Sequence, residues 1–173
     1  MAAQAVATHV GVLSEFIAAE CVALYAPRPG AGELDTRPLF ELVHRMGKRR
    51  LLPRCTDAGR LEYVAVERWE SLRPGRYGIP EPGGESVSLP GEGAVVICPG
   101  VAFDAFGGRL GMGRGYIDRT FPVRGEDGPF LVGVGYACQV VDDLPRQEHD
   151  QRMDAVVTED GPMKLRSRTA ARG

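Results

Sequence analysis

Lysine is nearly absent from this chain: Lys48 and Lys164 are the only two among 21 basic residues, and the rest are arginines. No lysine falls in any glycine-rich stretch, which excludes the P-loop, whose G-x-x-x-x-G-K-[ST] pattern depends on one. Paired cysteines are also missing. Cys21, Cys55, Cys98 and Cys138 are widely spaced without a C-x-x-C, so neither a zinc cluster nor a disulfide framework is expected. Three of them lie in apolar, strand-like runs, the pattern of buried free thiols in a reducing cytosol. No apolar run reaches the roughly 18 residues of a membrane span. No basic residue precedes Arg28, so neither a secretory leader nor an arginine-rich transit peptide is expected. A net charge of -2 gives no electrostatic reason for a nucleic-acid or membrane partner. The expectation is one cytoplasmic globular domain of 173 residues, a monomer or weak homodimer.

What the chain does have is glycine between arginines. Pro99 to Phe121 reads PGVAFDAFGGRLGMGRGYIDRTF and holds Gly100, Gly107, Gly108, Gly111, Gly113 and Gly115. Arg109 and Arg114 are interleaved with them, and Tyr116 and Asp118 close the stretch. Exposed backbone N–H groups and guanidinium forks suit a polyphosphate, and an aspartate just beyond suits magnesium. The G-M-G-R-G alternation is not the dinucleotide fingerprint G-x-G-x-x-G. An anion-binding loop and a glycine-rich hairpin both remain open on spacing alone.

The rest of the chain reads as alternating helices and strands. Val6, Val10, Leu13 and Ile17 recur at helical spacing and predict a helix over 4–20. Residues 21–25 read as a buried strand. A second helix starts after Asp35 or Thr36, accepts Pro38 in its first turn, buries Leu39, Leu42, Val43 and Met46, and stops at Gly47. Strands follow at 51–55, interrupted by Pro53, and at 63–67. Residues 71–93 form a long surface connection rich in proline and glycine. A strand at 94–98 feeds the glycine loop, a short helix starts near Gly115, and strands follow at 130–141 and 154–158. The basic segment 162–173 reads as a solvated tail. Continuous apolar strands alternating with helices indicate an α/β domain over 1–161 with a mostly parallel open sheet flanked by helices. Ligands collect at the carboxyl ends of such strands, which would let the 32–36 and 107–118 loops face one cleft.

The long motif P-G-x-A-F-D followed by G-x-R-L-G-x-G-x-G-Y-x-D-R resembles the signature of the 5-formyltetrahydrofolate cyclo-ligase family. GELDT (32–36), LP (52–53), GIPEP (78–82) and HDQRMDAVVTED (149–160) follow the family's order, so the resemblance covers roughly residues 5 to 160. It implies a NagB/RpiA/CoA-transferase-like fold and ATP- and Mg2+-dependent closure of 5-formyltetrahydrofolate, or a polyglutamylated form of it, to 5,10-methenyltetrahydrofolate. Position by position, Arg109, Leu110, Gly111, Met112, Gly113, Arg114, Gly115, Tyr116 and Ile117 match the nucleotide-binding segment. Met112 through Tyr116 overlap folate contacts, joined by Glu33 and by Ala26, where the loop length differs from the family's. Asp118 and Asp150 match metal-associated aspartates, and Arg109, Arg114 and Asp118 are the implied catalytic set.

Two positions depart from that pattern. Family members usually open with a helix carrying K-x-x-x-R, and this chain opens at what resembles the second helix. Ile117 replaces the second tyrosine of G-Y-Y-D. The departures keep two other expectations in view: a folate-binding relative without turnover, and another phosphate-ligand enzyme of this fold, acting in sugar-phosphate or acyl-transfer chemistry.

Overall fold

The computed structural model describes residues 1–87, 89–121, 128–145 and 150–166. Helices α1 (Ala2–Gly11) and α2 (Ser14–Ala18) precede strand β1 (Cys21–Ala23), helix α3 (Arg37–Arg45), β2 (Arg49–Cys55) and β3 (Leu61–Ala65). The short pair β4 (Arg73–Pro74) and β5 (Pro80–Glu81) comes next, then β6 (Ala94–Pro99), β7 (Ala102–Asp104) and β8 (Arg109–Leu110). Helix α4 (Tyr116–Thr120) leads to β9 (Phe130–Val134), β10 (Val140–Val141), β11 (Ala155–Thr158) and β12 (Gly161–Pro162).

Seven strands make one sheet in the order β12-β11-β9-β6-β1-β2-β3. Every pairing from β11 across to β2 is parallel, and only the outer pairs β11–β12 and β2–β3 are antiparallel. The mostly parallel α/β sheet expected from the apolar runs is therefore present. Its strands are buried on both faces, which is why the runs are continuous. Val95 and Ile97 belong to one apolar cluster, under α1, α2 and α3, whereas Val96 and Cys98 belong to a second. Phe103, Phe121 and Met153 complete the second cluster, with Ile117 of α4 against its edge. Phe103 reaches the sheet because position 133 is glycine: a Cβ there would stand 2.5 Å from the ring. Among the described residues no helix is long and apolar enough to cross a membrane.

The sequence reading needs correction in several places. The helix expected over 4–20 is two helices, because α1 ends at Gly11, where a side chain would approach Leu42 Cδ2 to 2.9 Å, and Leu13 is extended. Glycine suits that close contact and weakens the helix at the same point. The break buries Phe16 and leaves Ile17 55% exposed, and Met46 is likewise exposed. Pro53 does not interrupt β2 but pairs with Tyr63. Arg49 and Leu51 direct their backbone groups toward the β1 side, and Pro53, two residues on, faces that side beyond the β1 pairing. No ladder bond needs its missing N–H.

The 130–141 run also divides. β9 ends at Val134, Ala137–Gln139 forms a 3-10 turn, and β10 joins β7 and β8 in a separate sheet. Gln139 fixes the bend, its Oε1 accepting from Tyr136 N–H and its Nε2 donating to Gly100 O. Past residue 161, Met163 and Leu165 still pack on the second cluster and Arg166 N–H bonds Ala105 O. Residues 167–173 of the expected tail lie outside the described residues. All four cysteines are free, but only Cys98 is buried; Cys21 and Cys55 are half-buried and Cys138 is exposed.

Candidate functional site

Parallel strands β1, β2 and β6 end on the same side of the sheet, and the chain leaving them forms a cleft of about 790 Å³. Arg109 through Arg119 line it without a gap, facing Arg28 and Glu33, with Cys55, Tyr77, Asp150 and Pro99 also in the wall. The 32–36 and 107–118 loops thus share one cavity. Ala26 does not belong to it: the side chain is 4% exposed and packs in the first apolar cluster, because the residues after β1 turn inward before the loop emerges.

Local rules place each group. Gly115 takes φ 60 and ψ 22, a left-handed turn that opens α4 directly after the glycine loop. One turn of α4 then carries Tyr116, Ile117 and Asp118. Ile117, where the family's second tyrosine stands, goes to the core edge. Asp118 turns back to Arg109, with Oδ2 3.2 Å from Nη2 and the side chains 17% and 7% exposed. Its Oδ1 accepts from Gln151 N–H at 3.1 Å, which draws the chain carrying Asp150 to the same wall. His149 lies outside the described residues. Arg119 does not pair with Asp118; it donates to the carbonyls of Gly59 and Arg114.

Arg109 is the electrostatic centre of the loop. Its Nη1 reaches Pro99 O at 3.3 Å, and its Nε is buried with no hydrogen-bond partner among the described residues. A buried donor left unpaired costs about 1–3 kcal/mol, and this N–H is the one unsatisfied buried side-chain donor among the described residues. Asp104, by contrast, is structural. Its Oδ1 accepts from the N–H groups of Phe106 and Gly108, and its Oδ2 from Leu144 N–H.

On the facing wall, Glu33 Oε2 accepts from Arg28 N–H at 2.6 Å. Asp35 Oδ1 accepts from Arg37 N–H at the start of α3, whereas the Thr36 hydroxyl donates to Tyr25 O and does not cap the helix. Lys48 is committed elsewhere, its Nζ bonded to the carbonyls of Ile17 and Ala19. Among the described residues no three metal-ligating side chains cluster. Asp118 and Asp150 are the two carboxylates on the glycine-loop side of the cleft among the described residues.

Sequence reading missed Tyr77. It is the one non-glycine residue in the left-handed region, at φ 60 and ψ 19, among the described residues. The Arg114 guanidinium lies 3.8 Å from its ring centroid, and its hydroxyl is 3.4 Å from that of Tyr116. This last contact pulls the Tyr77 phenol below its ordinary range and pushes Tyr116 above it. The signal was available next door in GIPEP: Glu81 of that motif accepts from Cys55 N–H at 3.2 Å and fastens the hairpin that presents Tyr77. Burial, followed by Glu81, pushes the Cys55 thiol up, so it is a weak nucleophile at neutral pH.

Comparison with known proteins identifies the family and the fold. The model of the 5-formyltetrahydrofolate cyclo-ligase family matches residues 1–159. The 5-formyltetrahydrofolate cyclo-ligase of Escherichia coli is 37% identical over 159 residues, 90% of this chain and 86% of that protein. A probable 5-formyltetrahydrofolate cyclo-ligase of Schizosaccharomyces pombe is 33% identical over 84% of this chain and 78% of its own length. The NMR structure of Aquifex aeolicus 5,10-methenyltetrahydrofolate synthetase matches with a TM-score of 0.73 at 36% identity, over 95% of this chain and 81% of that one. The Mycoplasma pneumoniae synthetase, 19% identical over 91% of this chain and 85% of that one with a TM-score of 0.67, shares the fold. By sequence and by fold, this chain belongs to the 5-formyltetrahydrofolate cyclo-ligase family.

Proposed function

We propose that the cleft converts 5-formyltetrahydrofolate to 5,10-methenyltetrahydrofolate, with ATP as phosphoryl donor and ADP and phosphate as products. The supporting observation is that the arginine–glycine loop and Glu33 line one cavity. A formyl oxygen on an amide-like nitrogen is a poor leaving group, so N10 cannot close the ring until that oxygen is phosphorylated. The formyl oxygen attacks the γ-phosphorus as the bond to ADP breaks. N10 then bonds the formyl carbon and loses its proton, and the oxygen departs as phosphate.

Such a transfer mainly needs positioning and charge neutralisation. Arg109, Arg114 and the backbone N–H groups of 109–117 supply both to the phosphates, and the unpaired Arg109 Nε–H suits a phosphate oxygen. Glu33 accepts hydrogen bonds from the amino and ring N–H groups of the pterin, which rests against Met112 through Tyr116. Asp118 and Asp150 suit magnesium, which keeps several waters and needs only one or two carboxylates beside nucleotide phosphates. Bound there, the ion supplies charge neutralisation across the phosphates.

Turnover is the test: purified chain mixed with 5-formyltetrahydrofolate, magnesium and ATP, followed by absorbance of the methenyl product. An ATP-dependent rise with equimolar phosphate is expected. Folate binding without turnover would replace this reading with that of a non-catalytic folate-binding relative. Absence of folate binding would point to another phosphate ligand.

A further inference from the structure

Among the described residues four arginines line the cleft, and three are engaged with protein. Arg109 is tied to Asp118 and Pro99 O, Arg114 lies over the Tyr77 ring, and Arg119 donates to two carbonyls. The guanidinium of Arg28 has no such contact among the described residues, although its backbone is firmly held. Pro27 and Pro29 flank it and restrict the chain. Ala31 N–H closes a turn on Arg28 O at 3.2 Å, and Arg28 N–H bonds the Glu33 carboxylate at 2.6 Å. The guanidinium nonetheless makes no ion pair with that carboxylate. One short loop therefore offers the cleft an acceptor at one place and an unengaged cation at another.

A folate has matching ends. Its pterin is rich in N–H donors, its glutamyl end is anionic, and an aromatic ring joins them. Val101, Leu110 and Met112 line the same cleft at 46%, 45% and 47% exposure, an apolar surface for that ring. A polyphosphate fits this wall poorly, since it would lie beside the Glu33 carboxylate while the glycine N–H groups stand opposite. Resting on the cyclo-ligase reading, we propose that Arg28 binds a carboxylate of the folate's glutamyl tail and sets this chain's discrimination between glutamate-bearing and tail-less pteridines.

The test is calorimetric binding, without turnover, to the full chain and to Arg28→Gln. The probes are 5-formyltetrahydrofolate, 5-formyltetrahydropteroate (which lacks the glutamate) and ATP. Arg28→Gln weakens the glutamate-bearing ligand by about tenfold, the scale of one charge-assisted contact, and leaves the pteroate and ATP unchanged. Arg28→Lys, which keeps the charge without the fork, recovers part of the loss. Equal weakening of both pteridines, no weakening of either, or weakening of ATP alone would overturn the assignment, the last by giving the guanidinium to phosphate. A wild-type chain that binds neither pteridine would remove the cyclo-ligase reading itself. A failure confined to Arg28→Gln, with wild-type folate binding intact, leaves that reading standing.

Discussion

The two ends of the parallel sheet carry cavities of very different chemistry. At the amino ends of β6 and β9, a cavity of about 480 Å³ is lined by Ala18, Ala19, Gly93 and Pro129, and its charged walls among the described residues are Glu15 and Asp154. At the carboxyl ends, the larger cleft sets four arginines, among the described residues, against Glu33, Asp118 and Asp150. The strands are common to both ends, so the difference comes from the connections. The connections into β1 and β2 are short, two residues from α2 and three from α3, whereas those into β6 and β9 run twelve, 82–93, and nine, 121–129. The chain leaving β1 runs thirteen residues, 24–36, before α3, and the chain from Gly100 to Gly115 holds only two short strands. Long irregular backbone on a rigid sheet can aim polar groups inward. Charge on the connections, more than their length or the cavity size, marks the functional end.

Substitutions at the two ends sharpen that contrast. Asp118→Asn is expected to cut turnover by about a hundredfold or more, the scale of losing a charge-stabilising group at the reacting centre. The fold should persist, because asparagine still accepts from Arg109; an unchanged thermal midpoint beside an unchanged rate would remove Asp118 from the site. Arg109→Ala is expected to raise the KM for ATP by about tenfold, with less effect on folate affinity, as read from a steady-state ATP titration. Alkylation separates the thiols by environment. A raised Cys55 pKa leaves less thiolate at neutral pH, so iodoacetamide should modify exposed Cys138 first, and Cys55 labelling should accelerate as pH rises and slow when folate is bound; peptide mass spectrometry reads all three. Glu15→Gln, at the opposite end, should leave kcat and KM unaltered. A clear loss there would shift the chemistry to the amino-end cavity.

Much of the sheet was legible because burial on both faces forces unbroken apolar runs, as in 94–98. The breaks were not, since each depends on a partner far along the chain. Gly11 ends a helix where it meets Leu42, and Gln139 bends the chain after β9 by bonding Gly100 O. The glycine loop declared itself through composition, whereas its internal pairing did not: Asp118 meets Arg109, nine residues back, and not the adjacent Arg119. Arg28 and Tyr77 escaped notice for one physical reason. Each sits in a connection whose composition reads as surface turn, and only the folded sheet brings both to the wall of the same cleft.

Hydrogen–deuterium exchange with folate and nucleotide bound tests the central claim most directly, because it reports on both ends of the sheet in one experiment. Slowed exchange confined to 28–36 and 109–119, with 15–19 and 128–130 unchanged, is the predicted result. Protection of the amino-end segments, with the arginine–glycine loop still exchanging freely, would contradict it.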